Sequence, residues 1–235
     1  MFGFYDYTVW LTYASLVSAV MGIGVSLHGI GHPYWGIFFL MISGLCDAFD
    51  GRVARTKKNR TETEKKFGIQ IDSLADLVAF GVLPICIGDA LVGIGPDITG
   101  VCRVEIGNPI LRAILMAIGI LTLIYYVLMA MIRLAYFNVF EEERQSVEAG
   151  CRREYIGLPV TSAALIFPTI LLLQYVLPFD ISLLYYLGLV VTGTLFVSKI
   201  KVKKPGLKGI LMMIAFGAVI GILLLVGMFA VHHIH

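Results

Sequence analysis

Seven long apolar segments, separated by short polar stretches, most constrain how this chain can fold. Each has about the 20 residues that an α-helix needs to cross a bilayer, and charged residues make up only 14% of the chain. We therefore predict an integral membrane protein with a single all-α domain over residues 1–235, a polytopic transmembrane helix bundle. The predicted spans are about residues 8–27, 34–55, 69–94, 109–137, 158–177, 181–198 and 207–231.

The distribution of positive charge predicts how the bundle is oriented. Lys and Arg are concentrated in alternate loops, those after the second, fourth and sixth segments. Such loops stay on the cytoplasmic side of a membrane, so the N-terminus is predicted to be cytoplasmic and the C-terminus external. The net charge of +2 is too small to favour nucleic acid as a partner.

Two groups of reactive residues are predicted to have no catalytic role. The four cysteines lack the CxxC spacing of redox and metal sites and mostly lie in or near apolar segments, so we interpret them as reduced packing residues. The histidines within residues 232–235 could bind a metal, but their place at the end of the sequence predicts a mobile tail.

Four aspartates lie at the edges of the second and third segments. Asp47 and Asp50 are three residues apart, and Asp72 and Asp76 are four apart. In a helix, both spacings place the two side chains on one face. Four carboxylates brought together beside a membrane would repel one another unless a cation joined them. The pattern predicts a site for one or two divalent ions, and ligands that are all oxygens favour Mg²⁺ or Mn²⁺ over zinc.

Small and basic residues follow the first aspartate pair. Gly51 and Ala54 leave room on the helix surface for a bulky ligand, and Arg55 offers a planar fork suited to phosphate. With carboxylate-held metal ions, these residues could bind a diphosphate and stabilise charge during phosphoryl transfer. Two other interpretations stay open: a structural ion-pair network of the aspartates with Arg52 and Arg55, and a divalent cation transporter.

Two motifs around these residues resemble the CDP-alcohol phosphotransferase family. Asp-x2-Asp-Gly-x2-Ala-Arg is followed by Gly-x3-Asp-x3-Asp. Twelve residues separate the two motifs, more than is usual in the family, and we interpret the extra residues as a longer cytoplasmic loop. The matching positions are Asp47, Asp50, Gly51, Ala54, Arg55, Gly68, Asp72 and Asp76.

Further segments are similar to the phosphatidylserine synthases within that family. Residues 72–84 contain Asp-Ser-Leu-Ala-Asp followed by Phe-Gly-x-x-Pro, which resembles their third helix. Arg-Leu-Ala-Tyr-Phe-Asn at residues 133–138 and Gly-Leu-Pro at residues 157–159 resemble two more of their segments. The resemblance extends from the first to the fifth apolar segment and fades over the last two.

The resemblance implies a metal-dependent enzyme that transfers a phosphatidyl group from CDP-diacylglycerol to the hydroxyl of L-serine, giving phosphatidylserine and CMP. It implies that Asp76 also acts as the general base on the serine hydroxyl. Glycerol 3-phosphate or inositol phosphate stays open as the acceptor in place of serine. The implied metal ligands are Asp47, Asp50, Asp72 and Asp76, and the implied contacts to the CDP moiety are Asp47, Gly51, Ala54 and Arg55.

The carboxylate of serine needs a cation, and Arg133 in the last turns of the fourth segment is the candidate. Arg133 could instead extend to the interface or pair with Glu141 or Glu142. Asn138 is a second candidate for the serine site, although an asparagine at a helix end is often a cap. The family resemblance also implies a homodimer in the cell membrane, with its active site facing the cytoplasm.

Overall fold

Helices make up most of this computed structural model. It describes residues 3–28, 34–93, 109–147, 154–175, 177, 180–203 and 206–232, and of residues 141–147, 154–155 and 230–232 it describes the backbone alone. Cys46 and Cys86 are free thiols, in agreement with the prediction for the cysteines. The other two cysteines, the side chains of the predicted Arg133 partners and those of the C-terminal histidines lie outside the described part of the chain.

The described residues form seven helical rods, which confirms the predicted all-α bundle. One rod is interrupted: a π-helical turn at Leu77–Val82 joins its two halves, Glu62–Asp76 and Leu83–Gly93. Single 3₁₀ turns at Val160–Ser162 and Leu173–Tyr175 flank the helix Ala163–Leu172. The α-helices are α1 (Trp10–His28), α2 (Trp35–Ala54), α3 (Glu62–Asp76), α4 (Leu83–Gly93), α5 (Pro109–Val147), α6 (Ala163–Leu172), α7 (Ser182–Phe196) and α8 (Leu207–His232).

Four rods are long and apolar enough to cross a membrane on their own. They are Trp10–His28, Glu62–Val92, Pro109–Phe140 and Leu207–Phe229. Two shorter apolar stretches, Val160–Tyr175 and Ser182–Phe196, accompany them, and α2 has the length of a span but carries charged residues in its last turns. These lengths support an integral membrane protein, whereas the cytoplasmic position of the N-terminus stays a prediction.

The third rod begins about two turns earlier than predicted. Thr61 and Glu64 form a capping box: Thr61 Oγ1 accepts from the Glu64 N–H at 3.2 Å, and the Glu64 carboxylate accepts from the Thr61 N–H at 2.7 Å. Because this satisfies backbone donors at the helix start, α3 can begin at Glu62. The prediction of a long loop as far as Gly68 is therefore wrong, since a polar, charged sequence can also form an exposed helix.

Pro84 disturbs the third rod, and a tyrosine from another helix compensates. Proline has no N–H, so the carbonyl of Phe80, four residues earlier, loses its donor within the helix. Tyr126 of α5 donates its hydroxyl to that carbonyl at 2.8 Å, and Tyr185 of α7 donates to the Pro84 carbonyl at 2.9 Å. The π-helical turn lies between Asp76 and this proline, a distortion that is frequent near functional sites.

The apolar core lies beside this turn, between α2, α4, α5, α6 and α7. Its largest side chains include the rings of Tyr126 and Phe167, which meet edge to face with centroids 5.7 Å apart. Gly44 brings α2 close to α6, since a Cβ on Gly44 would lie 2.4 Å from the Cβ of Ala164. The core therefore fixes α2 against the rods that follow it.

Two short strands connect segments that are distant in the sequence. β1 (Glu154–Ile156) pairs antiparallel with β2 (Lys201–Lys203), and Tyr155 lies opposite Val202. The sheet was not predicted, because three residues are too few for an alternating apolar pattern to be recognised.

Candidate active site

The aspartates of α2 and α3 lie together in one cluster. Asp47, Asp50 and Asp72 each present a carboxylate oxygen, and these three oxygens lie within 4.8 Å of one another. Asp76 is one turn further along α3, within hydrogen-bonding distance of Asp47, as Asp72 is of Asp50. We refer to these four residues as the aspartate cluster.

The aspartate cluster is half-buried to buried and has few protein partners. Asp50 and Asp76 are each 8% exposed, and Asp47 and Asp72 are half-buried. Among the described residues no ion pair joins the cluster to Arg52 or Arg55, which argues against a structural ion-pair network. The buried Oδ1 of Asp72 has no hydrogen-bond partner within the described part of the chain. A set of oxygen ligands with an unpaired buried oxygen fits a hard divalent cation, and Asp47, Asp50 and Asp72 could hold it.

Neighbouring polar groups orient two of the cluster residues. The Gly51 N–H donates to Oδ1 of Asp50, and the Thr12 hydroxyl of α1 lies 3.5 Å from its Oδ2. Asn138 of α5 donates its side-chain amide to the Ser73 hydroxyl at 2.8 Å. Because Ser73 directly follows Asp72, this bond fixes α3 at the aspartate cluster. The predicted contact of Asn138 with serine stays a prediction.

A cavity of about 870 Å³ extends from Asp47, Asp50 and Asp72, whereas Asp76 is not among its described lining residues. This volume lies within the range of small-molecule sites. Its polar end is lined by Asp47, Asp50, Gly51, Arg52, Arg55 and Asp72, and its apolar part includes Phe38 and Met41 of α2, Leu165 of α6, and Ile210, Met213 and Ile214 of α8. A charged end joined to an apolar part fits an amphiphile better than it fits a free ion.

Gly51 faces open space at the polar end of the cavity. Apart from its chain neighbours and the backbone of its own helix, a Cβ built there would meet one described atom within 4 Å, Nη2 of Arg55 at 3.9 Å. Packing within the chain therefore does not require glycine at this position, whereas the close approach of a ligand would.

Arg60, which sequence reasoning missed, joins the two motifs. Its guanidinium donates to the Ala54 carbonyl at the end of α2 at 3.5 Å and to the Glu64 carbonyl in α3 at 3.3 Å. A Cβ on Gly68 would lie 2.7 Å from Nη2 of Arg60, so the glycine leaves room for this side chain. Ala54 is not among the described residues that line the cavity. No local pattern distinguishes Arg60 from the other basic residues around it.

Arg133 lies behind the wall of the cavity. It is 6% exposed, its Nε donates to the Leu158 carbonyl at 3.2 Å, and its guanidinium carbon lies 5.6 Å from the centre of the Phe137 ring. Leu158 and Phe137 line the cavity, whereas Arg133 is not among the described lining residues. Its predicted contact with the serine carboxylate is not tested by this arrangement and stays a prediction.

Comparisons with known proteins agree with the motifs. A family model described as CDP-alcohol phosphatidyltransferase matches residues 8–232. Proteins from two strains of Helicobacter pylori are 32% and 33% identical over 167 residues, which are 70% of this chain and 58% of theirs. A Saccharomyces cerevisiae protein is 32% identical over 165 residues, 68% of this chain and 51% of its own. All three are named CDP-diacylglycerol–serine O-phosphatidyltransferase, and the chain spans just over half of their length.

Proposed function

Because the chain belongs to the CDP-alcohol phosphatidyltransferase family, we propose that it transfers a phosphatidyl group from CDP-diacylglycerol to the hydroxyl of L-serine. The name that its three relatives share supports serine as the acceptor. The observation that carries the proposal is the cavity in which the aspartate cluster adjoins an apolar part. A nucleotide diphosphate with two acyl chains has the same division between charged and apolar parts.

The donor would lie with its diphosphate at the aspartate cluster and its acyl chains between α2, α6 and α8. Asp47, Asp50, Asp72 and Asp76 are the proposed ligands of Mg²⁺ or Mn²⁺, which would neutralise the diphosphate and make CMP a better leaving group. Arg55 contacts the diphosphate through its planar fork. The cytidine would lie over Gly51, close to Asp47, whereas a contact with Ala54, which is not among the described lining residues, stays a prediction.

Asp76 is the proposed general base. It takes the proton from the serine hydroxyl while the hydroxyl oxygen attacks the lipid-bearing phosphorus. The bond from that phosphorus to the bridging oxygen of the diphosphate breaks, and CMP leaves with this oxygen. Because a carboxylate is a weak base for an alcohol, the proton moves late in the reaction.

The site is proposed to face the cytoplasm, because the basic residues between α2 and α3 follow the aspartate pair of α2 directly. Serine and CMP would then exchange with the cytoplasm while the lipid products stay in the membrane. The homodimer implied by the family stays a prediction.

The reaction is tested by measuring CMP release by the purified protein in detergent, with CDP-diacylglycerol and Mn²⁺ or Mg²⁺. We expect release that depends on L-serine and stops when EDTA is added. Release with glycerol 3-phosphate or inositol phosphate but not with serine would keep the family and reject the acceptor. No release with any acceptor, together with divalent-ion flux in sealed vesicles, would identify a transporter instead.

The base is tested by Asp76→Asn. We expect turnover to fall by at least about 10²-fold while CDP-diacylglycerol still binds, since most of the proposed metal ligands remain. Asp89→Asn is the matched control, because Asp89 is an exposed aspartate of α4 outside the cluster. Wild-type turnover in Asp76→Asn would contradict the assignment of the base.

A further inference from the structure

The cavity contains a cation from an element that the motifs do not include. Among the described residues that line it, the cations are Arg52 in the last turn of α2, Arg55 directly after that helix, and Lys203 of β2. We propose that the Lys203 ammonium binds the carboxylate of the acceptor amino acid and thereby selects serine over uncharged alcohols. This inference rests on the proposed function and names the residue that recognises its second substrate.

Backbone contacts hold β2 in place. β2 pairs with β1, and the N–H of Gly157, directly after β1, donates to the Ile200 carbonyl at 2.7 Å. Gly157 has a φ of +80°, and a Cβ there would lie 2.5 Å from the carbonyl oxygen of Phe196. Since a side chain is excluded at this contact, the two strands pack directly on the end of α7.

The residues directly after β1, together with β2, form part of the cavity wall. Leu158 and Pro159 line the cavity, as do Val202 and Lys203 of β2. Arg133 donates to the Leu158 carbonyl at 3.2 Å and so attaches this wall to α5. The backbone that carries Lys203 is therefore fixed relative to the cavity.

The chemistry of Arg55 and of Lys203 favours a different anionic group for each. Arg55 adjoins the aspartate cluster directly after α2, and its planar fork suits the two phosphates of the donor. Lys203 is exposed, and in the described part of the chain it has no ion-pair partner. A free carboxylate entering beside four aspartates needs a cation that the donor does not use. Lys203, an exposed residue of the cavity wall, meets that need.

The test measures kcat and KM for L-serine and for L-serinamide, in which a neutral amide replaces the carboxylate. In Lys203→Gln we expect kcat/KM for serine to fall about tenfold, mostly through KM, as is typical when one partner of a charged hydrogen bond is removed. KM for CDP-diacylglycerol and kcat/KM for serinamide should change less than about twofold, because neither substrate contact uses Lys203. Lys203→Arg should restore most of the preference for serine.

Lys201→Gln is the matched control. Lys201 is an exposed lysine of the same strand and is not among the described lining residues, so its removal should leave both substrates unaffected.

Three results would overturn the inference. An unchanged KM for serine in Lys203→Gln would remove Lys203 from the acceptor site. Equal losses with serine and serinamide, or an equal rise in KM for CDP-diacylglycerol, would place Lys203 on the donor or on lipid headgroups. A wild-type protein that releases no CMP with serine would overturn the proposed function itself, a result distinct from an active wild type that is insensitive to Lys203→Gln.

Discussion

Two sets of buried polar side chains lie in this bundle and differ in whether the protein satisfies them. Tyr126 and Tyr185 are fully buried and donate to the carbonyls of Phe80 and Pro84 at 2.8 and 2.9 Å. The aspartate cluster brings like charges together, and Oδ1 of Asp72 has no partner among the described residues. Buried polar groups with protein partners stabilise a fold, whereas unpaired ones reduce its stability unless a ligand binds. The tyrosines therefore stabilise the fold, whereas the aspartates could bind a ligand.

Asp72→Asn tests this distinction with the largest expected effect. Turnover should fall by at least about 10²-fold, because a proposed ligand and its charge are lost. In the wild type, Mn²⁺ at a hundred times its Kd should stabilise the fold by about 2.7 kcal/mol, and the variant should lose most of this gain. In EDTA the variant should be at least as stable as the wild type, since one like charge is gone.

Thermal denaturation in detergent, with Mn²⁺ and with EDTA, measures the change in stability, and CMP release measures turnover. Asp89→Asn should behave like the wild type. If Mn²⁺ stabilises Asp72→Asn as much as the wild type, the aspartate cluster is not where the ion binds.

Gly51→Ala tests whether glycine is needed at this position for ligand binding or for packing within the protein. The added Cβ meets only the Arg55 side chain among the described contacts, at 3.9 Å, so the melting midpoint should not fall, and it should rise slightly because alanine is the better helix former. KM for CDP-diacylglycerol should rise about tenfold, the scale of one methyl group placed in a fitted site. Gly24→Ala is the control, since no described atom lies within 4 Å of a Cβ there. A donor KM equal to that of Gly24→Ala would contradict the proposed approach of the nucleotide to α2.

Tyr126→Phe tests the buried tyrosines, whose hydroxyls have hydrogen-bond partners within the protein. It leaves the carbonyl of Phe80 without a donor in the core, which should cost about 1–3 kcal/mol of unfolding free energy. The gain in stability from Mn²⁺ should stay as in the wild type, because the aspartate cluster is unchanged. Tyr125→Phe is the control: the Tyr125 hydroxyl bonds Thr194, and Thr194 still donates to the Val190 carbonyl at 2.8 Å when Tyr125 is replaced. A loss of the Mn²⁺ effect in Tyr126→Phe would mean that the two polar sets are not independent.

The smallest effect is expected where charged groups are half-buried and paired. Lys57 bridges Asp6 and Glu64 with contacts of 2.5 and 2.8 Å, and its hydrogen bond lowers the pKa of Asp6 from 3.8 to about 2. Because the pKa of Asp6 is lower in the folded protein, the stabilisation is present above pH 3.8 and is lost as the pH falls towards 2.

Lys57→Met should lower the melting midpoint at neutral pH by no more than about 2 °C. The difference from the wild type should shrink in acid, and Lys58→Met should show no such pH dependence. A difference that grows as the pH falls would contradict the assigned pair.

Local patterns predicted the rods and the meeting of the two motifs. Spacings of three and four residues fix which aspartates share a helix face, so the approach of Asp47 to Asp72 needed only that the second and third rods pack against each other. The capping box of Thr61 and Glu64 also indicates where α3 starts, but the polar composition of the segment led us to predict a loop there. Lys203 could not be assigned, because its place depends on strand pairing and on backbone contacts that leave no pattern in the sequence.

The π-helical turn after Asp76 also affects how this chain aligns with its relatives. Such a turn holds one residue more than the α-helical turn it replaces, and one residue rotates a helix by about 100°. Consider a relative with a regular α-helix here, in which the last aspartate and the proline point in the same directions as in this chain. It would have one residue fewer between that aspartate and that proline. An alignment of the two chains without a gap would pair the equivalent aspartates or the equivalent core residues of α4, but not both.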